Sequence, residues 1–187
     1  SKKMYPELME RMMDVYKNLR VGQALDDLEL GPVISKRQKT IIENYLKFSS
    51  DLECISTGRL EDDLPQKGNY VVPQLFGNVS TSHKLAQEEI FGPIQVLIPF
   101  EDEEEAIYIA NGTKYGLVAS VWTKDGARQM RVTKAIKSGQ VFINNYGAGG
   151  GVELPFGGIG HSGHGREKGF EALYSFSTLK TVAAFHG

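Results

Sequence analysis

Cysteine is almost missing: Cys54 is the one thiol in 187 residues, which excludes an internal disulfide and leaves too few soft ligands for a cysteine-built metal site. No apolar run approaches the roughly 20 residues of a membrane span or the shorter core of a secretory leader. The expected setting is therefore reducing and cytoplasmic, without a membrane partner. A surplus of one charge is lacking too. The 21 basic and 23 acidic residues are interspersed and leave a formal charge of -2, so no footprint for nucleic acid or an anionic surface is visible. Repeats and low-complexity linkers are also absent, and one domain covering residues 1–187 is the simplest expectation. With 41% hydrophobic and 24% charged residues, the chain can bury a core of its own.

Residues 3–19 place Leu8, Met12, Val15, Tyr16 and Leu19 at three- and four-residue spacing, which predicts a helix with one apolar stripe. After Gly31-Pro32, Ser35 with Gln38 three positions later has the form of a capping box and predicts a second helix through Leu46. From residue 51 the pattern changes. Runs at 52–56, 70–76, 94–100, 117–123 and 140–144 are short, β-branched or aromatic, and predict strands. Helical patterns at 102–110 and 125–137 lie between the later strands. That alternation implies crossover connections and an α/β fold with a largely parallel sheet and helices on both faces. A short helix over 166–176 and an apolar terminal strand over 178–185 complete the expectation, the strand needing a partner to cover it.

Gly158-Ile159-Gly160-His161-Ser162-Gly163 has the spacing of a dinucleotide fingerprint, but it follows a loop and no acid lies about 20 residues on. A tight, close-packed loop is the better reading of these glycines. His161 and His164 lack the further ligands a zinc site needs, and are read as loop histidines; no metal is expected. Cys54 has no neighbouring histidine in sequence and sits in a strand-like alternation, which favours a small buried hydrophobe over a nucleophile. Asn111-Gly112-Thr113 is read as a helix terminus.

Taken in order, Glu89-Ile90-Phe91-Gly92-Pro93, Asn111 to Leu117, Val141-Phe142-Ile143-Asn144, and Pro155-Phe156-Gly157-Gly158 with Ser162-Gly163 and Gly165-Arg166-Glu167 resemble the C-terminal part of the catalytic domain of NAD(P)-dependent aldehyde dehydrogenases. Arg20-Val21-Gly22, Leu30 to Ser35 and Gly68 to Pro73 fit the same family, so the resemblance covers nearly the whole chain. It implies oxidation of an aldehyde to a carboxylic acid through a cysteine thioester, with hydride passing to NAD or NADP. By the same resemblance, Glu89 would accept hydrogen bonds from the nicotinamide ribose, Phe91 would pack beside it, and Asn144 would support the nucleophile loop. Phe156, Gly149 and Gly150 would line the aldehyde tunnel. Nucleophile, general base and cofactor domain are expected upstream of Ser1, so the isolated chain should be inactive and bind no cofactor appreciably. On residue type alone, Glu89 also fits a solvated strand-end acid and Phe91 a core aromatic.

Gly160 departs from the lysine that many members carry, and the small loop Gly147 to Gly151 leaves the substrate unreadable. An alternative to the enzyme fragment is a noncatalytic module or truncated product that pairs with a full-length relative. Homo-oligomerisation through the strand at 178–185 is expected, and the alternative module would pair with its larger relative through the same strand.

Overall fold

A computed structural model describes residues 1–147 and 151–187. The chain forms two compact units, 1–106 and 107–187. Helices and strands alternate in both, with parallel as well as antiparallel strand pairs, which is an α/β fold.

In the first unit, helix α1 (Tyr5–Asn18) carries Pro6 in its first turn, where its missing N–H costs no hydrogen bond, and lies against the sheet. Strand β1 (Arg20–Val21) follows, then helix α2 (Lys36–Leu46), whose N-cap Ser35 accepts a hydrogen bond from the Gln38 amide through its hydroxyl. Strands β2 (Glu53–Thr57) and β3 (Arg59–Leu60), then β4 (Gln74–Gly77), helix α3 (Lys84–Gln87) and strand β5 (Ile94–Val96) complete it. β1 pairs with β3 in parallel, while β4 is the middle strand of a second sheet, antiparallel to β2 and parallel to β5. Leu75 and Phe76 of β4 are buried accordingly. The core groups Ile42 of α2 with Val71, Phe76, Val79, Leu85 and Ile90.

The apolar stripe of α1 holds in part: Met12 and Leu19 are half-buried and Tyr16 is buried as predicted, while Leu8 and Val15 are exposed. Tyr16 donates its hydroxyl to Gln95 Oε1, and the Met13 carbonyl accepts from Ser56 Oγ. Tyrosine can face the sheet because its polar tip finds a partner there. The run predicted as a strand from residue 70 pairs only from Gln74, since Pro73 cannot donate to a ladder; Tyr70, Val71 and Pro73 are buried nonetheless. Cys54 is exposed, not buried. β2 is an edge strand, its register shifts between Cys54 and Ser56, and Ser56 is the buried member of the pair.

In the second unit, helix α4 (Glu103–Ala110), inside which the division falls, leads to β6 (Tyr115–Gly116), β7 (Val118–Val121), helix α5 (Gly126–Ala135) and β8 (Gln140–Ile143). β7 and β8 are parallel, with Val118 opposite Gln140, and α5 makes the crossover that parallel neighbours require. Asp125 caps α5 by accepting from the Arg128 amide. Asn111 lies just past α4 and its side chain ties the end of α5, donating to the Ala135 carbonyl and accepting from the Lys137 amide. Strand β9 (Ile159–Gly160) pairs antiparallel with β6, and the tail helix is shorter than predicted, α6 being Ala172–Ser175. Residues 178–185 pair with no strand among the described residues, and Leu179, Val182 and Phe185 are fully or nearly fully exposed. An apolar extended segment becomes a strand only where another edge completes its ladder. No helix among the described residues is long and apolar enough to cross a membrane.

Before α2, Arg20 grips Glu29 with two side-chain bonds of 3.0 Å and a third from its own amide, which hold the Glu29 carboxyl at about 2, down from an ordinary 4.5. A depressed folded value contributes stability that is complete above the unfolded pKa and is lost as pH falls through the folded one. An NMR titration should therefore find Glu29 ionised at pH 3.5. Between pH 4.5 and 2 the wild-type chain should lose stability relative to Glu29→Gln, which carries no such titration.

Candidate functional site

Between α3 and β5 the segment Glu89-Ile90-Phe91-Gly92-Pro93 runs across the top of the first core. Ile90 points in and is buried at 7% exposure, so its two neighbours point out: Glu89 is exposed and Phe91 is 72% exposed. Phe91 is thus no core aromatic. Its backbone has φ of 54°, left-handed and uncommon for a bulky residue. That conformation costs about 1–2 kcal/mol, no more than the about 1.5–3 kcal/mol that full burial of an isoleucine is worth, so a segment anchored by Ile90 can carry it.

Two further contacts fix the segment. A Cβ on Gly92 would lie 2.5 Å from Ile42 Cδ1 and 2.7 Å from Cγ1, so the chain passes directly over the most buried residue of α2. Gln38 supplies the other: its side-chain Nε2 donates to the Ile90 carbonyl at 3.0 Å and to the Phe91 carbonyl at 3.1 Å. The capping box expected at Ser35 and Gln38 is therefore half present. The serine caps the helix, while the glutamine reaches 52 residues along the chain to the motif instead of back to the Ser35 amide. Spacing within the helix gives no signal for that second role.

In the second unit, Asn144 follows β8 with φ of 49°. Its amide N–H donates to the Val121 carbonyl, its Oδ1 accepts from the Thr123 amide at 2.8 Å, and its Nδ2 donates to the Thr123 carbonyl at 3.0 Å. The side chain thus continues the parallel pair where the backbone has turned away. Phe156 is half-buried and exchanges both backbone hydrogen bonds with Glu167, with the Lys168 ammonium 5.6 Å from its ring centre. Gln140 Nε2 donates to the Pro155 carbonyl just before it. Gly149 and Gly150 lie outside the described residues.

The glycine-rich run folds back on itself as a close-packed loop. A Cβ on Gly158 would meet Ser162 at 2.5 Å, Arg166 Nη1 donates to the carbonyls of Gly158 and Gly165, and Ser162 Oγ accepts from the Gly116 amide. Gly160 has φ of 59° and its Cβ would stand 2.6 Å from the Lys114 carbonyl, so no side chain has room in this backbone. His161 stacks edge-on to Tyr115. Among the described residues no group of three or more His, Cys, Asp or Glu is placed to hold a metal ion.

The profile described as the aldehyde dehydrogenase family matches residues 1–182. The chain belongs to the aldehyde dehydrogenase family. It is 40% identical over 184 residues to cytosolic aldehyde dehydrogenase 1 of Rattus norvegicus, covering 96% of this chain and 36% of that protein. A betaine aldehyde dehydrogenase of Brucella anthropi is 37% identical, with 97% of this chain and 38% of that protein covered. The chain therefore spans little more than a third of these curated relatives. Among solved structures, a Burkholderia cenocepacia protein assigned as an aldehyde dehydrogenase superposes with a TM-score of 0.94 at 52% identity, over all of this chain and 40% of that one. Betaine aldehyde dehydrogenase of Staphylococcus aureus, solved in complex with NAD+, gives 0.85 at 33% identity over 94% and 36%.

For this aldehyde dehydrogenase chain, Gly92 is set by space and not by φ. Gly92→Ala should push the motif off Ile42 and destabilise the chain by about 1–3 kcal/mol, the usual cost of overpacking. Denaturant unfolding checks this; a loss under 0.5 kcal/mol would show that α2 yields freely.

Proposed function

We propose that this chain is one wall of the active site of an NAD- or NADP-dependent aldehyde dehydrogenase, which oxidises an aldehyde to a carboxylic acid through a cysteine thioester. The observation that carries the reading is the pairing of an exposed carboxylate, Glu89, with an exposed ring, Phe91, on a segment anchored by buried Ile90. Two carboxylate oxygens can accept from adjacent ribose hydroxyls, and an exposed aromatic face can pack beside a sugar or a planar ring. These residues fit a nicotinamide ribose. When bound, the dinucleotide would supply the hydride acceptor; Glu89 and Phe91 would hold its reactive end in place and exclude water from one side. Asn144 would stiffen the end of β8 beside the nucleophile loop. Phe156 with Gly149 and Gly150 would line the route of the aldehyde.

Cys54 is given no part in this chemistry: it is exposed on an edge strand, and its Sγ donates to the Ser56 carbonyl at 3.6 Å. The nucleophile, the general base and most of the cofactor site would come from elsewhere in the enzyme, and both units would belong to one catalytic domain. A cytoplasmic enzyme fits the composition. Incubated with NAD+ or NADP+ and a panel of aldehydes, the 187-residue chain should show no enzyme-like turnover. NAD+ should bind more weakly than micromolar, with its NMR shifts centred on Glu89 and Phe91, and Glu89→Ala should weaken it about tenfold, or about 1.4 kcal/mol. Turnover, micromolar affinity in calorimetry, or shifts elsewhere would each defeat the reading.

Assembly through the tail belongs to the same proposal. Phe176, at the end of α6, and Leu179, Val182 and Phe185 after it are exposed, an apolar surface that a second copy would cover by adding a strand. A noncatalytic pairing module would use the same surface. Light scattering should report species heavier than the 20.7 kDa chain, and Leu179→Glu with Val182→Glu should return the monomer. A monomer at all concentrations in the wild type would remove the tail from the interface.

A further inference from the structure

We propose that Gln38 is a positioning residue for the cofactor wall: its side-chain amide holds Phe91 in the left-handed conformation that presents the ring. The inference rests on the reading that Glu89 and Phe91 face a nicotinamide ribose. Three observations converge on it. Gln38 is half-buried on α2, three residues past the Ser35 cap, so its backbone is fixed by the helix start. Its Nε2 spends both protons on consecutive carbonyls, those of Ile90 and Phe91. The residue between those carbonyls has φ of 54°, although it is neither glycine nor asparagine.

The geometry explains why the two carbonyls need one donor. Successive carbonyls of an extended segment point to opposite sides, and a left-handed residue between them turns the second toward the first. A single NH2 group can then bridge both, which a hydroxyl or a single N–H cannot do. The same turn sends the Phe91 side chain outward and brings Gly92 down onto Ile42. Ile90 thus sets the depth of the segment, and Gln38 sets the twist that follows.

The test uses the whole chain and two substitutions of similar length. Gln38→Glu keeps the size and the backbone cap but removes both donor protons. Gln38→Lys restores an N–H donor group. The readouts are the intraresidue HN–Hα NOE of Phe91, strong only for positive φ, and NAD+-induced shifts at Glu89 and Phe91 up to millimolar ligand. Wild type should show the strong NOE; Gln38→Glu should lose it and bind NAD+ at least fivefold more weakly, with the thermal midpoint of the core held within a few degrees; Gln38→Lys should recover both. An unchanged NOE in Gln38→Glu overturns the proposal, as does a lost NOE with unchanged NAD+ shifts. Should Gln38→Glu fail to fold, Gln38→Met removes the donors without adding charge and is read by the same NOE. Wild-type shifts far from Glu89 would overturn the functional reading alone, since the NOE judges Gln38 independently of any ligand.

Discussion

Ile42 and the chain that crosses it are the constraint on which the first unit depends. Ile42 is fully buried at the middle of α2, Gly92 lies close enough to it to exclude any Cβ, and Ile90 enters the same core two residues earlier. A helix and a loop more than 40 residues apart therefore share one packed volume, and close packing transmits any change in one to the other. The exposure at the candidate site builds on this buried contact. Ile90 sets the depth that leaves Glu89 outside, and the left-handed turn that follows sends Phe91 out.

The second unit solves a similar problem with backbone in place of apolar side chains. Its glycine-rich loop packs main chain on main chain, so that Gly158 is buried against Ser162 and the Arg166 guanidinium gathers two carbonyls. Asn144 plays a part just past β8 related to that of Gln38 beside the motif. In both, a side-chain amide takes over hydrogen bonding where a left-handed residue turns the backbone away. Primary amides suit the task because they donate and accept in one plane, as the peptide does. Carboxylates could only accept.

Much of this was legible in the residues. The helix at 36–46 follows its Ser35 signal, and the α5 crossover joins two strands that were recognisable as short β-branched runs. The family motifs stood in order along nearly the whole length. The α1 stripe was less legible, because Leu8, Val15 and Tyr16 all satisfy helical periodicity and only the sheet beneath decides which of them it accepts. Cys54 looked buried since alternation does not say which face of an edge strand is covered. The tail at 178–185 read as a strand on composition, yet a strand is defined by its partner, and none pairs with it among the described residues.

The sequence by itself determined the order of helices and strands, the α/β class and the family, because periodicity, caps and motifs are local and survive without knowledge of what packs on them. Only the tertiary structure decided that Phe91 is displayed and Ile90 hidden, that Gln38 serves the loop and not its own helix, and that Gly92 is a matter of space. Those facts concern residues roughly 50 positions apart, and their physical cause is a shared volume and a shared pair of hydrogen bonds that no stretch of chain carries alone.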